Sequence, residues 1–114
     1  VYGDGRVYWP NFGARVPRPR QGFFCADAKT GEILYSEQPE QMPETVYAAP
    51  LLAGGRIYIP SLVTGTYVLE AGPSYKLLAH NKIEGDDTTF NASPAPLGND
   101  AILLRSDKAI YCIR

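Results

Sequence analysis

The sequence, 114 residues long, predicts an all-β fold of short antiparallel strands, and three observations predict it. Eleven glycines and ten prolines punctuate the chain, which favours many strands joined by tight turns. The runs between them are short and rich in Val, Ile, Leu and Tyr, residues that fit a pleated, half-buried surface. The runs also recur. Thr45-Val46-Tyr47-Ala48-Ala49-Pro50 returns 44 residues later as Thr89-Phe90-Asn91-Ala92-Ser93-Pro94. Arg56-Ile57-Tyr58 returns as Ala101-Ile102-Leu103 at a spacing of 45, and Thr66-Tyr67-Val68-Leu69 as Ile110-Tyr111-Cys112-Ile113 at 44. A period near 44, several strands per repeat and no amphipathic helix point to a β-propeller, whose four-stranded blades stand around an axis. The chain holds about two and a half such antiparallel blades, a partial propeller in a single domain over 1–114, with units at about 1–38, 45–83 and 89–114.

The first unit carries the repeat in stretched form. Gly5-Arg6-Val7-Tyr8 parallels Gly55-Arg56-Ile57-Tyr58, and Phe24-Cys25-Ala26-Asp27-Ala28 parallels Tyr67-Val68-Leu69-Glu70-Ala71. The offsets of 50 and 43 place about seven extra residues between Tyr8 and Phe24. Strands are predicted here at about 6–9, 22–27 and 32–36, with no innermost strand unless Val1 and Tyr2 are its tail. The middle unit supplies all four, at about 46–53, 56–60, 66–70 and 75–82, counted outwards from the axis. The last supplies about 90–97, 101–104 and 109–113, with no outermost strand before Arg114. Both ends read as cut from a longer chain, whose remaining blades are expected partners. Unalternating apolar runs such as Ile102-Leu103-Leu104 fit sheets covered on both faces. Pro50, Pro94 and Pro96 fall in the innermost strand, where an edge tolerates the missing N–H.

Composition excludes some classes of function. Eleven basic residues balance twelve acidic ones, so no nucleic acid or charged membrane surface is expected as a partner. No apolar run nears the ~18 residues of a membrane span. No signal peptide is read within these residues, and the chain begins at Val1 rather than an initiator Met, so any targeting segment is expected upstream of it. Cys25 and Cys112 form no C-x-x-C motif. They occupy one strand position two repeats apart, so they are expected as free, buried side chains, because bridged Cα atoms lie within about 7 Å.

The run from Phe24 to Tyr35 (Phe24-Cys25-Ala26-Asp27-Ala28-Lys29-Thr30-Gly31-Glu32-Ile33-Leu34-Tyr35) resembles the quinoprotein-like repeat, also called the PQQ-like repeat. That repeat joins its third and outermost strands through an acidic residue and Thr-Gly. The acidic side chain bonds turn amides and glycine supplies positive φ. Tyr35 stands where the family has a tryptophan docked between blades. Glu70-Ala71-Gly72-Pro73 keeps a turn without Thr-Gly, and Ala48-Ala49-Pro50 and Ala92-Ser93-Pro94 resemble the family's innermost strand. The resemblance implies a periplasmic or secreted protein. Its members include scaffold subunits, for which a non-catalytic binding role is expected, and quinone-dependent dehydrogenases. The dehydrogenase alternative implies pyrroloquinoline quinone and calcium, with catalytic residues in blades outside this chain. No catalytic, cofactor-binding or metal residue is assigned within it, and the adjacent bridged cysteines of some such enzymes are absent.

A binding face is expected where the loops after second strands and after outermost strands share one rim. The stretched loop Pro10 to Gln21 holds Arg15, Arg18 and Arg20, read as a solvated insertion pairing with acidic loops on the same rim. Those loops contain Glu37, Glu40, Glu44, Glu84, Asp86 and Asp87. Glu84, Asp86 and Asp87 are read as solvated, with calcium as the lesser reading. Tyr47 and Asn91, at matching positions, are placed with Arg105 towards the channel. The candidate face is thus Arg15, Arg18, Arg20, Tyr47, Asp87, Asn91 and Arg105, for a protein partner or small ligand. His80 is expected exposed on an outermost strand. As the single histidine, it gives a His-based metal site or catalytic triad little support.

Overall fold

Each short apolar run becomes a strand, and each turn returns the chain beside itself. The computed structural model describes residues 1–114, and it is all-β but for one 3-10 turn at Arg18–Arg20. The first sheet contains β1 (Tyr2–Gly3), β2 (Arg6–Asn11), β3 (Gly22–Asp27) and β4 (Ile33–Glu37). The second contains β5 (Leu51–Ala53), β6 (Arg56–Pro60), β7 (Thr66–Glu70) and β8 (Leu77–Asn81). The third contains β9 (Ala95–Leu97), β10 (Ala101–Arg105) and β11 (Ile110–Ile113). Every strand pairs antiparallel with its chain neighbour, so each sheet is a simple meander. The three sheets do not close into a ring.

The elements differ from the sequence reading in two places. Tyr2 does belong to a first strand, with Val1 just before it: β1 pairs Tyr2 with Val7, which makes the first sheet four-stranded. The innermost strands β5 and β9 are shorter than expected and begin just after Pro50 and Pro94. Residues 46–50 and 90–94 lie outside the ladder because they turn to the neighbouring unit instead. Their remaining groups bond elsewhere: the Phe90 amide donates to the Leu62 carbonyl (2.9 Å) and the Ala49 amide to Ser93 Oγ (2.9 Å).

The middle sheet is covered on both faces. Strand alternation turns Ile57 and Ile59 of β6 and Tyr67 and Leu69 of β7 towards the first sheet. They meet Tyr8, Phe23, Cys25 and Tyr35, and all eight are buried together with Phe12. Phe23 is the hub, with ring centroids 4.9 Å from Phe12 and 5.4 Å from Tyr67. Tyr35 reaches across to Tyr75 of the second unit, edge to face at 5.8 Å. Fully burying one such side chain contributes about 1.5–3 kcal/mol. On the other face, Tyr58, Thr66 and Val68 look towards Ile102, Leu104 and Ile113 of the third sheet. This second interface is looser and contains a cleft of about 210 Å³. The residues at equivalent positions explain it. Thr66 stands 43 residues after Phe23, and Ala79, which pairs with Val68, stands where Tyr35 pairs with Cys25, so two large rings are replaced by smaller groups.

The first strands of the three sheets lie side by side. A Cβ added at Gly3 of β1 would run into Leu52 of β5, and Ala49 and Ser93 join the segments leading into β5 and β9. Two faces have no partner: that of the first sheet carrying Val7, Trp9 and Phe24, and that of the third carrying Leu103, Ile110 and Cys112. Cys112 is therefore exposed, contrary to expectation, whereas Cys25 is buried; both are free.

Candidate functional site

The candidate site is the loop rim, and a repeated backbone staple builds it. In the second unit, β6 ends at Pro60, and the Leu62 amide donates to the Thr45 carbonyl at 2.9 Å. In the third, the Asp107 amide donates to the Thr89 carbonyl at 3.0 Å. Each staple ties the loop after a second strand to the connection leading into that unit. A serine sits beside each. Ser61 Oγ accepts the Thr64 amide and donates to the Gly65 carbonyl. Ser106 Oγ, 45 residues on, accepts the Lys108 and Ala109 amides. The rim is thus hydrogen-bonded backbone presenting exposed side chains.

A carboxylate secures each staple. Glu44 accepts the Val63 amide (2.6 Å) and the Thr64 hydroxyl. Asp86 is more enclosed. Its Oδ2 accepts the hydroxyls of Ser106 (2.5 Å) and Tyr111 (2.6 Å), and its Oδ1 accepts the amide (2.9 Å) and hydroxyl (2.5 Å) of Thr88. These donors, Ser106 first, then Thr88 and Tyr111, hold its carboxyl far below the usual carboxylate range. Asp86 was expected in a solvated loop; it is buried because four donors converge on it. Oxygens so surrounded by donor hydrogens do not suit a cation. No three His, Cys, Asp or Glu side chains are grouped to hold a metal ion.

The basic loop is ordered differently from expectation. None of Arg15, Arg18 and Arg20 pairs with an acid; the two ion pairs are Lys76–Glu70 and Arg114–Asp100. Amide side chains hold the loop instead. Asn11 donates to the Arg20 carbonyl, Gln21 to the carbonyls of Gly13 and Val16, and Gln38 to those of Arg18 and Gln21. Phe12 anchors its start in the core. Neutral amides satisfy the backbone and leave all three guanidinium groups exposed. Gln38 follows β4, so the basic loop and the connection to the second unit do share this rim.

The other candidates are exposed and dispersed. Tyr47 is 71% exposed, and Asn91 donates only to the Thr89 hydroxyl. Each stands four residues before an innermost strand. Asp87 is exposed beside buried Asp86, and Arg105 ends β10 opposite Ile110. No hydrogen bond or ion pair joins any two of the seven. His80 departs from expectation: it is half-buried, stacked on Tyr67 at 4.0 Å, with Nε2 2.6 Å from the Thr64 carbonyl. Sequence reasoning missed this stack, although β7 and β8 pair the two residues directly. It also missed the Ser61 and Ser106 bonds, for which the 45-residue recurrence of serine was the available signal.

At the opposite rim the turn from β3 to β4 matches its chemistry. Asp27 Oδ1 accepts the Lys29 and Thr30 amides at 2.9 Å each, and Gly31 has φ +75°. No helix is long and apolar enough to cross a membrane. Compared with models of known protein families and with curated proteins, the chain matches none.

Proposed function

We propose that the three sheets are successive blades of a β-propeller of the quinoprotein-like repeat type, and that the chain serves as a non-catalytic binding or scaffold segment. One observation carries the reading: the staple of Leu62 to Thr45 recurs in Asp107 and Thr89, so the repeat holds in backbone bonding as well as in letters. The Asp27-Gly31 turn, the docking of Tyr35 on Tyr75 and the adjacency of the innermost segments support it further. The binding surface is the loop rim. Arg15, Arg18 and Arg20, free of internal acids, suit a partner protein with an acidic surface, with Tyr47, Asp87, Asn91 and Arg105 as further exposed groups. A periplasmic or secreted location rests on the family resemblance.

Two experiments test this. Immobilised chain is expected to retain a partner that the triple variant Arg15→Ala, Arg18→Ala, Arg20→Ala loses; equal retention overturns the assignment of the basic loop. The chain with pyrroloquinoline quinone and calcium is expected to give no oxidation of alcohols or sugars; turnover would sink the non-catalytic reading.

A further inference from the structure

The cleft between the second and third sheets is a place that a phenyl ring fills one repeat earlier. Thr66 pairs with Asn81 as Phe23 pairs with Glu37, so Thr66 and Phe23 hold one position in successive sheets. Between the first two sheets the Phe23 ring occupies that position, 4.9 Å from Phe12 and 5.4 Å from Tyr67. Between the second and third, Thr66 leaves about 210 Å³ open. The walls are apolar: Val68 from the second sheet, Ile102 and Leu104 from the third, and Val63, Ile83 and Phe90 from the rim. The replacements that open the cleft, Thr66 and Ala79, lie well inside the chain. Register gathers donors at one end of it. Thr66 begins β7, Asn81 ends β8 opposite it, Lys82 follows, and all three line the cleft. Thr66 is only 9% exposed, yet its hydroxyl has no partner. The neighbouring bonds run instead among Ser61, Thr64, Gly65 and His80. The hydroxyl is not sealed either, since Tyr35 carries the one sealed hydroxyl without a partner. It therefore opens onto the cleft.

We propose that this cleft binds a small aromatic carboxylate, with the ring in the place of the Phe23 ring and the carboxylate on Thr66, Asn81 and Lys82. The ring follows from the repeat and from size: an apolar cavity of about 150 Å³ is enough to take up benzene, so 210 Å³ holds a ring and a short head group. The carboxylate follows from the donors. The Thr66 hydroxyl, the Asn81 amide and the Lys82 ammonium all donate, and no acidic side chain lines the cleft. Glu84, two residues beyond Lys82, forms no ion pair with it. Apolar walls with a few convergent polar groups are the usual make-up of a small-molecule site. The inference stands on the cleft and not on the proposed function: the site needs no partner protein, and the arginine loop takes no part in it.

The experiment titrates the chain with sodium benzoate and, separately, with benzyl alcohol, followed by nuclear magnetic resonance. Benzoate is expected to bind saturably with a Kd of about 1 mM or tighter, as suits a ligand of so few atoms. Its ring protons are expected to give cross-peaks to the methyl groups of Val68, Ile102 and Leu104. Thr66→Phe restores the ring of the first unit; it is expected to weaken benzoate binding at least tenfold and to raise the melting temperature. Val63→Trp, which blocks the cleft from a residue 41% exposed, replaces it if circular dichroism shows Thr66→Phe unfolded. Lys82→Met is expected to weaken benzoate about fivefold, the size of an exposed charge pair, and to leave benzyl alcohol unchanged. Four results overturn the proposal: no saturable benzoate binding up to about ten times that Kd, cross-peaks only to residues outside the cleft, undiminished binding by the filled variant, or a Lys82→Met chain that binds benzoate as before.

Discussion

Tyr35 and Tyr67 are both buried tyrosines, and their hydroxyls fare differently. Burial pushes Tyr67 up to about 12, yet its hydroxyl donates to the Gln41 carbonyl at 2.7 Å. Burial also raises Tyr35, whose hydroxyl has no hydrogen-bond partner. An unsatisfied buried hydroxyl costs about 1–3 kcal/mol, so Tyr35→Phe is expected to hold or raise the urea-unfolding free energy. Tyr67→Phe removes a made bond and is expected to lower it by about 1 kcal/mol. The family resemblance implied that Tyr35 docks on a neighbouring sheet, because its place in the turn motif is local. Nothing in the sequence marked the partner of Tyr67, which comes from Gln41, 26 residues away.

Asp86 sets an acid limit at the same scale. Its folded pKa is depressed, so its contribution is complete above its unfolded value near about 4 and is lost as pH falls through the folded value. Asp27, held down by the Thr30 and Lys29 amides, acts with the same sign. The melting temperature is expected to be flat from neutral pH to about pH 5 and to fall below about pH 4. Asp86→Asn is expected to lower it at neutral pH and flatten the acid limb. An unchanged acid limb in that variant would assign the effect to other carboxylates.

The elements show how closely each outermost strand approaches its neighbour. Gly65 has φ +105°, and a Cβ there would stand 2.5 Å from the Asn81 carbonyl oxygen of β8. Gly22, 43 residues earlier, meets the Glu37 carbonyl of β4 at 3.0 Å. The corresponding residue of the third unit is Ala109, where no outermost strand is present. Gly65→Ala combines a left-handed φ with a backbone clash. It is expected to cost more than the about 1–3 kcal/mol of φ strain alone, measured by urea unfolding. Most strands were legible within a residue or two, because tight turns and β-branched or aromatic runs are local signals. They failed at 46–50 and 90–94, where the composition resembles a strand but the Ala49 and Phe90 amides bond the neighbouring unit instead of a ladder.

For the whole molecule, the order of the sheets is the main finding, and the 44-residue period made it legible. The looseness of the second interface was readable in principle from Thr66 and Ala79 standing where the first unit has Phe23 and Tyr35. The arginine loop was not: its charges suggested ion pairs, whereas amides hold it, and amide partners leave no pattern in a sequence. The account rests on the middle sheet separating the outer two. A two-dimensional nuclear Overhauser spectrum of the chain tests this most directly. It is expected to show cross-peaks from Phe23 to Tyr67, whose ring centroids lie 5.4 Å apart, and from Ala49 to Ser93. Cross-peaks from Tyr8 or Phe23 directly to Ile102 or Leu104 would place the outer sheets face to face and contradict it.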